Sequence, residues 1–154
     1  MTVRSSFACS LAARLHCLPF AAVDYTIKNL RVVEDQAPKF GFSEVQERRR
    51  FPREDLQSET IGLAFHLVRP GCQQAFAHRH ENAEEIYVVV SGNGRVKLDD
   101  DVVEVSAMDA IRVAPNVARA FAAGPDGLEI LAFGPRHAGD GEVLRDESFW
   151  AERA

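Results

Sequence analysis

An all-β domain, a single antiparallel β-barrel, is the fold class this chain predicts, and three observations predict it. Short runs alternating apolar and polar residues recur through residues 58 to 134, tight polar turns separate them, and no internal repeat doubles the pattern. The chain has 154 residues, 46% of them apolar, which suits one domain able to bury a real hydrophobic core.

Residues 1 to 23 read as an N-terminal extension. They contain no Asp or Glu, carry Arg4 and Arg14, and are rich in Ser, Ala and Leu, as targeting peptides are. Arg14 and His16 interrupt the apolar core that a secretory signal needs, so a disordered or targeting-like extension is the expectation. Residues 24 to 57 form a lead-in. Tyr25 to Leu30 alternates weakly as an edge strand, and Arg31 to Arg53 is loop with a short helix, broken by Pro38 and Pro52. Arg48-Arg49-Arg50 is the one basic run; flanked by Glu47, Glu54 and Asp55, it reads as a solvated loop.

The barrel proper is expected over residues 58 to 134. Its first strand, Ile61 to Val68, sets Ile61, Leu63, Phe65 and Leu67 on one face toward the core and leaves His66 on the other, in a structural role. A strand at His78-Arg79-His80 and another at Glu85 to Val90 follow, then a turn at Ser91 to Gly94 and a strand at Arg95 to Leu98. Asp99-Asp100-Asp101 reads as a solvated hairpin tip before Val102 to Val105. Asp109 to Val113, Val117 to Phe121 and Leu128 to Phe133 bring the count to about eight strands, with Gly124-Pro125-Asp126-Gly127 as a turn between the last two. In the tail, 135 to 154, Phe149 and Trp150 are too apolar to leave bare and are expected to pack across a barrel edge or onto a second subunit.

Composition narrows the function classes. A formal charge of −5 without a sustained basic stripe argues against nucleic acid. No stretch reaches membrane-span length. Cys9, Cys17 and Cys72 are odd in number and scattered, against both a disulfide framework and a structural zinc site, and the cytoplasm is the natural compartment. Cys72 follows Gly71 in a turn with no base placed beside it, so it reads as an ordinary small side chain.

The chemistry concentrates between Gly71 and Gly92. His78 and His80 share parity, so both imidazoles project from one face of an extended strand, and a turn at Glu81-Asn82-Ala83 returns Glu85 beside them. Two neutral imidazoles and one carboxylate suit a divalent transition metal with open positions.

These residues resemble the first signature of the cupin superfamily, G(X)5HXH(X)3,4E(X)6G: Gly71, His78, His80, Glu85 and Gly92 match in order, with one extra residue between Gly71 and His78. The second signature, G(X)5PXG(X)2H(X)3N, falls on Met108 to Ala123 in degenerate form. Met108 and Asn116 stand where glycines are usual, and Arg119 stands in place of the histidine that supplies the fourth ligand. Asn tolerates the left-handed backbone that Gly normally supplies, so the fold can survive these changes.

The resemblance implies a small one-domain cupin, a jelly roll or double-stranded β-helix that holds its metal or ligand inside the barrel. It implies a metal centre of iron, manganese, nickel or zinc on His78, His80 and Glu85, with Arg119, Tyr87 and Phe121 toward a small-molecule ligand. Cupins span many reactions, so two classes stay open: a metal-dependent enzyme of oxygenase or isomerase type, and a metal-free, non-catalytic small-molecule binder in which Arg119 pairs with Glu85. Arg119 could instead swing aside to hold a substrate carboxylate, or snorkel out of the barrel mouth. Single-domain cupins commonly pair, and a homodimer is the expected state. Because residues 1 to 23 show no strand alternation, deleting them is expected to leave the thermal unfolding midpoint unchanged; a truncated chain that fails to fold would make that segment part of the barrel.

Overall fold

The computed structural model describes residues 24–41, 47–145 and 147–150. Eight strands form one curled antiparallel sheet: β1 (Glu47–Arg50), β2 (Ile61–Val68), β3 (Ala77–His80), β4 (Glu85–Leu98), β5 (Asp101–Ser106), β6 (Ala110–Val113), β7 (Arg119–Pro135) and β8 (Gly141–Leu144). The order is β1-β2-β7-β3-β8, and β4 closes the other side by pairing with β5, β6 and β7. Among the described residues the only helices are three short 3-10 turns and α1 (Arg53–Leu56).

The two long strands span both halves of the barrel. β4 pairs β7 from Ile86↔Phe133 to Gly92↔Leu128, then from Gly94↔Ala123 to Leu98↔Arg119. Between these stretches the ladder breaks, and residues 124 to 127 bulge opposite Asn93. Neither Ser91–Gly94 nor Gly124–Gly127 is therefore the turn that its composition suggests. Both are bends inside continuous strands, where a Cβ on Gly92 would overlap the Gly127 carbonyl and one on Gly94 the Ala122 carbonyl.

Other expectations differ too. Tyr25 to Leu30 forms no strand: the chain is extended to Asn29, which caps a 3-10 turn at Leu30–Val32. Arg48-Arg49-Arg50 is not loop but most of β1, and the sheet reaches beyond residues 58 to 134 to include β1 and β8. The inward face of β2 has the opposite parity to the expected one. β1 pairs β2 with Arg49 opposite His66 and Glu47 opposite Val68, so these four share the interior face. Phe65 is buried on the outer side, where Arg31 lies over its ring at 5.7 Å. Apolar residues occupy both faces of β2, so the more apolar face was the wrong one to assign inward.

Where the second signature departs from glycine, the backbone keeps the glycine conformation. Met108 has φ 76° and Asn116 φ 67°, both left-handed, which Asn adopts readily and Met at a cost of about 1 kcal/mol. The hairpin tip is also as expected: Asp99 accepts the Ala118 N–H at 2.9 Å through Oδ1 and its own N–H donates to the Ala118 carbonyl at 2.8 Å. Phe149 lies across the barrel wall with the Lys97 ammonium 5.4 Å from its ring centre.

The core packs Val68, Val89, Val96, Val105, Val113, Leu128 and Ile130 around Tyr87 and Phe121. Ile130 is fully buried on β7. Ile130→Ala is expected to lower the unfolding free energy by about 3 kcal/mol, read from the urea midpoint, while Val102→Ala on the exposed face of β5 changes it by less than about 0.5 kcal/mol.

Candidate active site

Glu85 reaches the histidines because the turn between β3 and β4 is pinned. Asp140 accepts the Asn82 N–H at 2.9 Å and its side-chain amide at 2.7 Å through Oδ1, and the Ala83 N–H at 3.0 Å through Oδ2. The chain therefore reverses over Glu81–Glu84 and delivers Glu85 to the His78 and His80 face. His78 sits opposite Arg119 of β7, and His80 opposite Gly141 of β8.

The side chains converge as the spacing predicts. His78, His80 and Glu85 each offer a ligand atom within 4.8 Å of the others. His80 Nε2 lies 3.4 Å from Glu85 Oε1, and His78 Nε2 lies 3.8 Å from Oε2. Oε2 also accepts from Arg119 Nη2 at 2.6 Å and from the Tyr87 hydroxyl. Arg119 is completely buried, donating in addition from Nε to the Tyr87 oxygen at 2.9 Å and from Nη1 to the Val117 carbonyl at 3.0 Å. It neither snorkels nor swings free. On the far side of the imidazoles, Asp140 Oδ2 stands 3.3 Å from His80 Nδ1 without hydrogen-bond alignment.

Electrostatics follow from this crowding. Burial pushes the Glu85 carboxyl up, but hydrogen bonds from His78, His80, Tyr87 and Arg119 outweigh it and hold the group far below the usual carboxylate range. Burial, with the Glu85 charge, keeps the Tyr87 phenol protonated well above its ordinary value, so it acts as a donor. Burial and the Arg119 charge pull His78 down to about 4, against the Glu85 hydrogen bond, which leaves a neutral imidazole at neutral pH.

A cavity of about 260 Å³ opens onto this group. Glu85, Tyr87 and the two histidines form one side; Phe40, Phe51 and Phe76 form an aromatic wall with mutual edge-to-face contacts at 6.1 and 6.3 Å. Arg119 and Phe121 do not line it. Phe121 is stacked behind Tyr87 at 5.1 Å, one layer into the core, and Arg119 supports Glu85 and Tyr87 from behind.

Residues that sequence reasoning passed over complete the cavity. His66 and Arg49 line it, and Arg49 stacks its guanidinium 4.2 Å from the Phe76 ring centre. Both contact Glu47, which is fully buried. The period-two spacing of Glu47 and Arg49 on one face was the signal available for them. Asp140 carried none, since its place depends on β8 returning to pair with β3.

The fold and site define a small curled β-sheet protein with a histidine and carboxylate cluster at the mouth of an internal cavity. The family described as "Cupin domain" matches residues 64–133, and this segment is a cupin domain. A cupin protein from Bacteroides fragilis superimposes with a TM-score of 0.55 at 26% identity, covering 64% of this chain and 84% of that one. Pac13, a nucleoside dehydratase of Streptomyces, gives a TM-score of 0.59 at 16% identity over 82% of this chain and 96% of its own. The polyketide cyclase RemF from Streptomyces resistomycificus gives 0.61 at 17% identity over 77% and 84%. No curated protein sequence matches the chain. No helix among the described residues is long and apolar enough to cross a membrane.

The lowered His78 value has a defined sign. From pH 6.5 to about 4 the unfolded chain protonates this imidazole while the folded one does not, so the unfolded state binds more protons and stability falls on acidification. The Glu47 carboxyl, brought down to about 2 against its burial by the His66 hydrogen bond and the Arg49 charge, continues the loss below pH 4.5. In EDTA-treated protein the unfolding free energy is expected to drop by on the order of 3 kcal/mol between pH 6.5 and 4, and His78→Gln to flatten that limb of the pH–stability curve.

Proposed function

We propose that this cupin holds a divalent metal on His78, His80 and Glu85 and binds a small organic molecule in the adjoining cavity, as a metal-dependent enzyme of oxygenase or isomerase type. The observation that carries the reading is how the two oxygens of Glu85 divide their partners. Oε2 takes the donors Arg119 and Tyr87, leaving Oε1 on the side of the His80 Nε2 atom. The donor set of two imidazoles and a carboxylate fits iron, manganese, nickel or zinc. Asp140 beside His80 Nδ1 supports the same reading, because ligating histidines commonly present their second nitrogen to a carboxylate. Bound there, such an ion polarises a carbonyl, stabilises an enolate or activates dioxygen.

The chain's own residues set the limits of that chemistry. The aromatic wall suits a flat ring. The cavity is smaller than a drug-sized site, which restricts the ligand to a compact molecule. Tyr87 and Arg119 fix the Glu85 carboxylate and keep its charge delocalised over two donors. The similar folds of a nucleoside dehydratase and a polyketide cyclase support small-molecule chemistry in a barrel of this kind. Exposed Tyr25, Ile27 and Ile61 support pairing with a second copy as part of the same reading.

One observation favours a second reading. The 2.6 Å contact from Arg119 to Glu85 already neutralises the carboxylate, as it would in a metal-free binding protein. Calorimetric titration with manganese, nickel and zinc, run beside thermal melting, separates the two. On the metal reading the unmodified chain binds, His80→Ala weakens binding by more than about 100-fold, and Arg119→His tightens it by restoring a ligand and removing a cation. Flat titrations for all three proteins, with Arg119→His melting lower because Glu85 has lost its buried partner, establish the metal-free binder instead.

A further inference from the structure

The cavity has a second polar group, opposite in kind to the first. Glu47, Arg49, His66 and Gln74 are all buried, on β1, β2 and the segment before β3. One oxygen of Glu47 gathers three of them: Oε1 accepts from Arg49 Nε at 2.8 Å and Gln74 Nε2 at 2.9 Å, and stands 3.1 Å from His66 Nδ1. Such a buried cluster contributes little net stability compared with apolar residues of the same volume, so stability alone does not account for it.

Its hydrogen bonds fix the protonation pattern. Gln74 Oε1 accepts the Phe121 N–H at 3.1 Å, which orients the amide so that its NH2 faces Glu47. Gln74 Nε2 also lies 3.5 Å from His66 Nδ1, but the carboxylate oxygen is nearer at 3.1 Å and an ionised carboxylate only accepts, so Nδ1 carries the proton. The Glu47 carboxyl is ionised at neutral pH, its burial outweighed by the His66 hydrogen bond and the Arg49 charge. The lone pair of His66 is therefore on Nε2, which makes no hydrogen bond to the described residues, and the ring lines the ligand cavity.

We propose that His66 is a proton-transfer base for the ligand in this cavity, with Glu47 and Gln74 as its positioning residues. The inference rests on the cavity being a ligand site and does not require the metal. His66 Nε2 takes a proton from a C–H bond of a small flat carbon acid. The freed electron pair forms a π bond within the ligand, as a leaving group departs with its own pair or a carbonyl oxygen receives charge. The imidazolium is balanced by Glu47, and the proton returns to the leaving group or to a neighbouring carbon. No electrons leave the ligand, so the class is elimination or isomerisation. The charged and titratable groups around His66 are Glu47 on β1, in contact with its Nδ1, and, lining the same cavity, Arg49 on β1, His78 and His80 on β3, and Glu85 and Tyr87 on β4.

The probe is 5-nitrobenzisoxazole, a compact flat ring. When a base takes its C–H proton, the pair closes a nitrile and the N–O bond breaks with its electrons on oxygen, opening the ring to one coloured cyanophenolate. EDTA-treated full chain is expected to release phenolate faster than an equal concentration of free imidazole, and H66Q to cut that rate by about 100-fold. E47Q keeps the side-chain shape should H66Q fold poorly; it is expected to lower kcat with KM nearly unchanged, a split that a merely structural role would not produce. A rate no faster than imidazole, an H66Q rate equal to that of the unmodified chain, or an Nε2–H tautomer in the His66 15N spectrum of the unmodified chain overturns the proposal. A rate abolished by EDTA also overturns it and leaves the metal reading standing. A His66-dependent, EDTA-insensitive rate beside flat metal titrations upholds the base and removes the metal.

Discussion

Burying the Glu85 carboxylate inside a barrel costs several kcal/mol unless donors replace its water, and much of the pocket is arranged as that replacement. Arg119 and Tyr87 bind one oxygen, and two imidazole nitrogens approach within 3.4 and 3.8 Å. The donors come from three strands, so the carboxylate is also a cross-link. It ties β4 to the start of β7 through Arg119 and to β3 through the histidines. In the β4–β7 ladder Glu85 and Arg119 lie near opposite ends, since Ile86 pairs with Phe133 and Leu98 with Arg119. They touch because the sheet curls back on itself, and the bends at Gly92 and Gly94 let it do so. A side chain at either glycine would strike the facing backbone, opening the barrel at its crease.

This geometry explains which parts of the site could be read from the sequence. His78, His80 and Glu85 were legible because they lie on one short strand and the turn after it, where parity and spacing nearly fix their relative positions. Asn116 was legible for a similar local reason: a left-handed backbone was wanted and Asn supplies it, as φ 67° confirms. What was not legible depends on long-range pairing. Asp140 is far along the chain and reaches the turn only through β8. His66 was placed on the wrong face because both sides of β2 are covered, the outer one by Arg31 over Phe65, so apolar alternation carried no direction. The basic run at Arg48 to Arg50 was misread for a related reason. Charge suggested solvent, yet Arg49 finds a buried carboxylate two residues away while Arg48 and Arg50 take the other face.

The glycine-rich stretches teach a further lesson about turns. Ser91–Gly94 and Gly124–Gly127 have the composition of hairpin loops, and a sequence pattern counts them as strand ends. In the folded chain they lie against each other, and glycine serves close backbone approach. The strand count still comes to eight: two pairs of predicted short strands merge into the long β4 and β7, and β1 and β8 make up the difference. The bend matters for function, since it sets the lower halves of β4 and β7 across the barrel from the upper ones and so creates an interior with polar groups on both sides.

Those two sides differ in a way that bears on chemistry. Glu85 is met by a guanidinium, a phenol and two imidazole nitrogens, whereas Glu47 is met on one oxygen by Arg49, Gln74 and the Nδ1 of His66. In the first group the ring nitrogens nearest the carboxylate are the ones that would ligate an ion. In the second the nitrogen nearest the carboxylate is tied up as a donor, and the other is left toward the cavity. A cation therefore gains most at Glu85, where imidazole lone pairs and an oxygen converge. At His66 the nitrogen left toward the cavity has the Glu47 carboxylate behind it, on the far nitrogen of the ring. One carboxylate lines the small cavity and the other lies buried behind it, and each serves a different partner through the orientation of the histidines beside it; a ligand held against the Phe40, Phe51 and Phe76 wall would meet Glu85 directly and Glu47 only through His66 and Arg49.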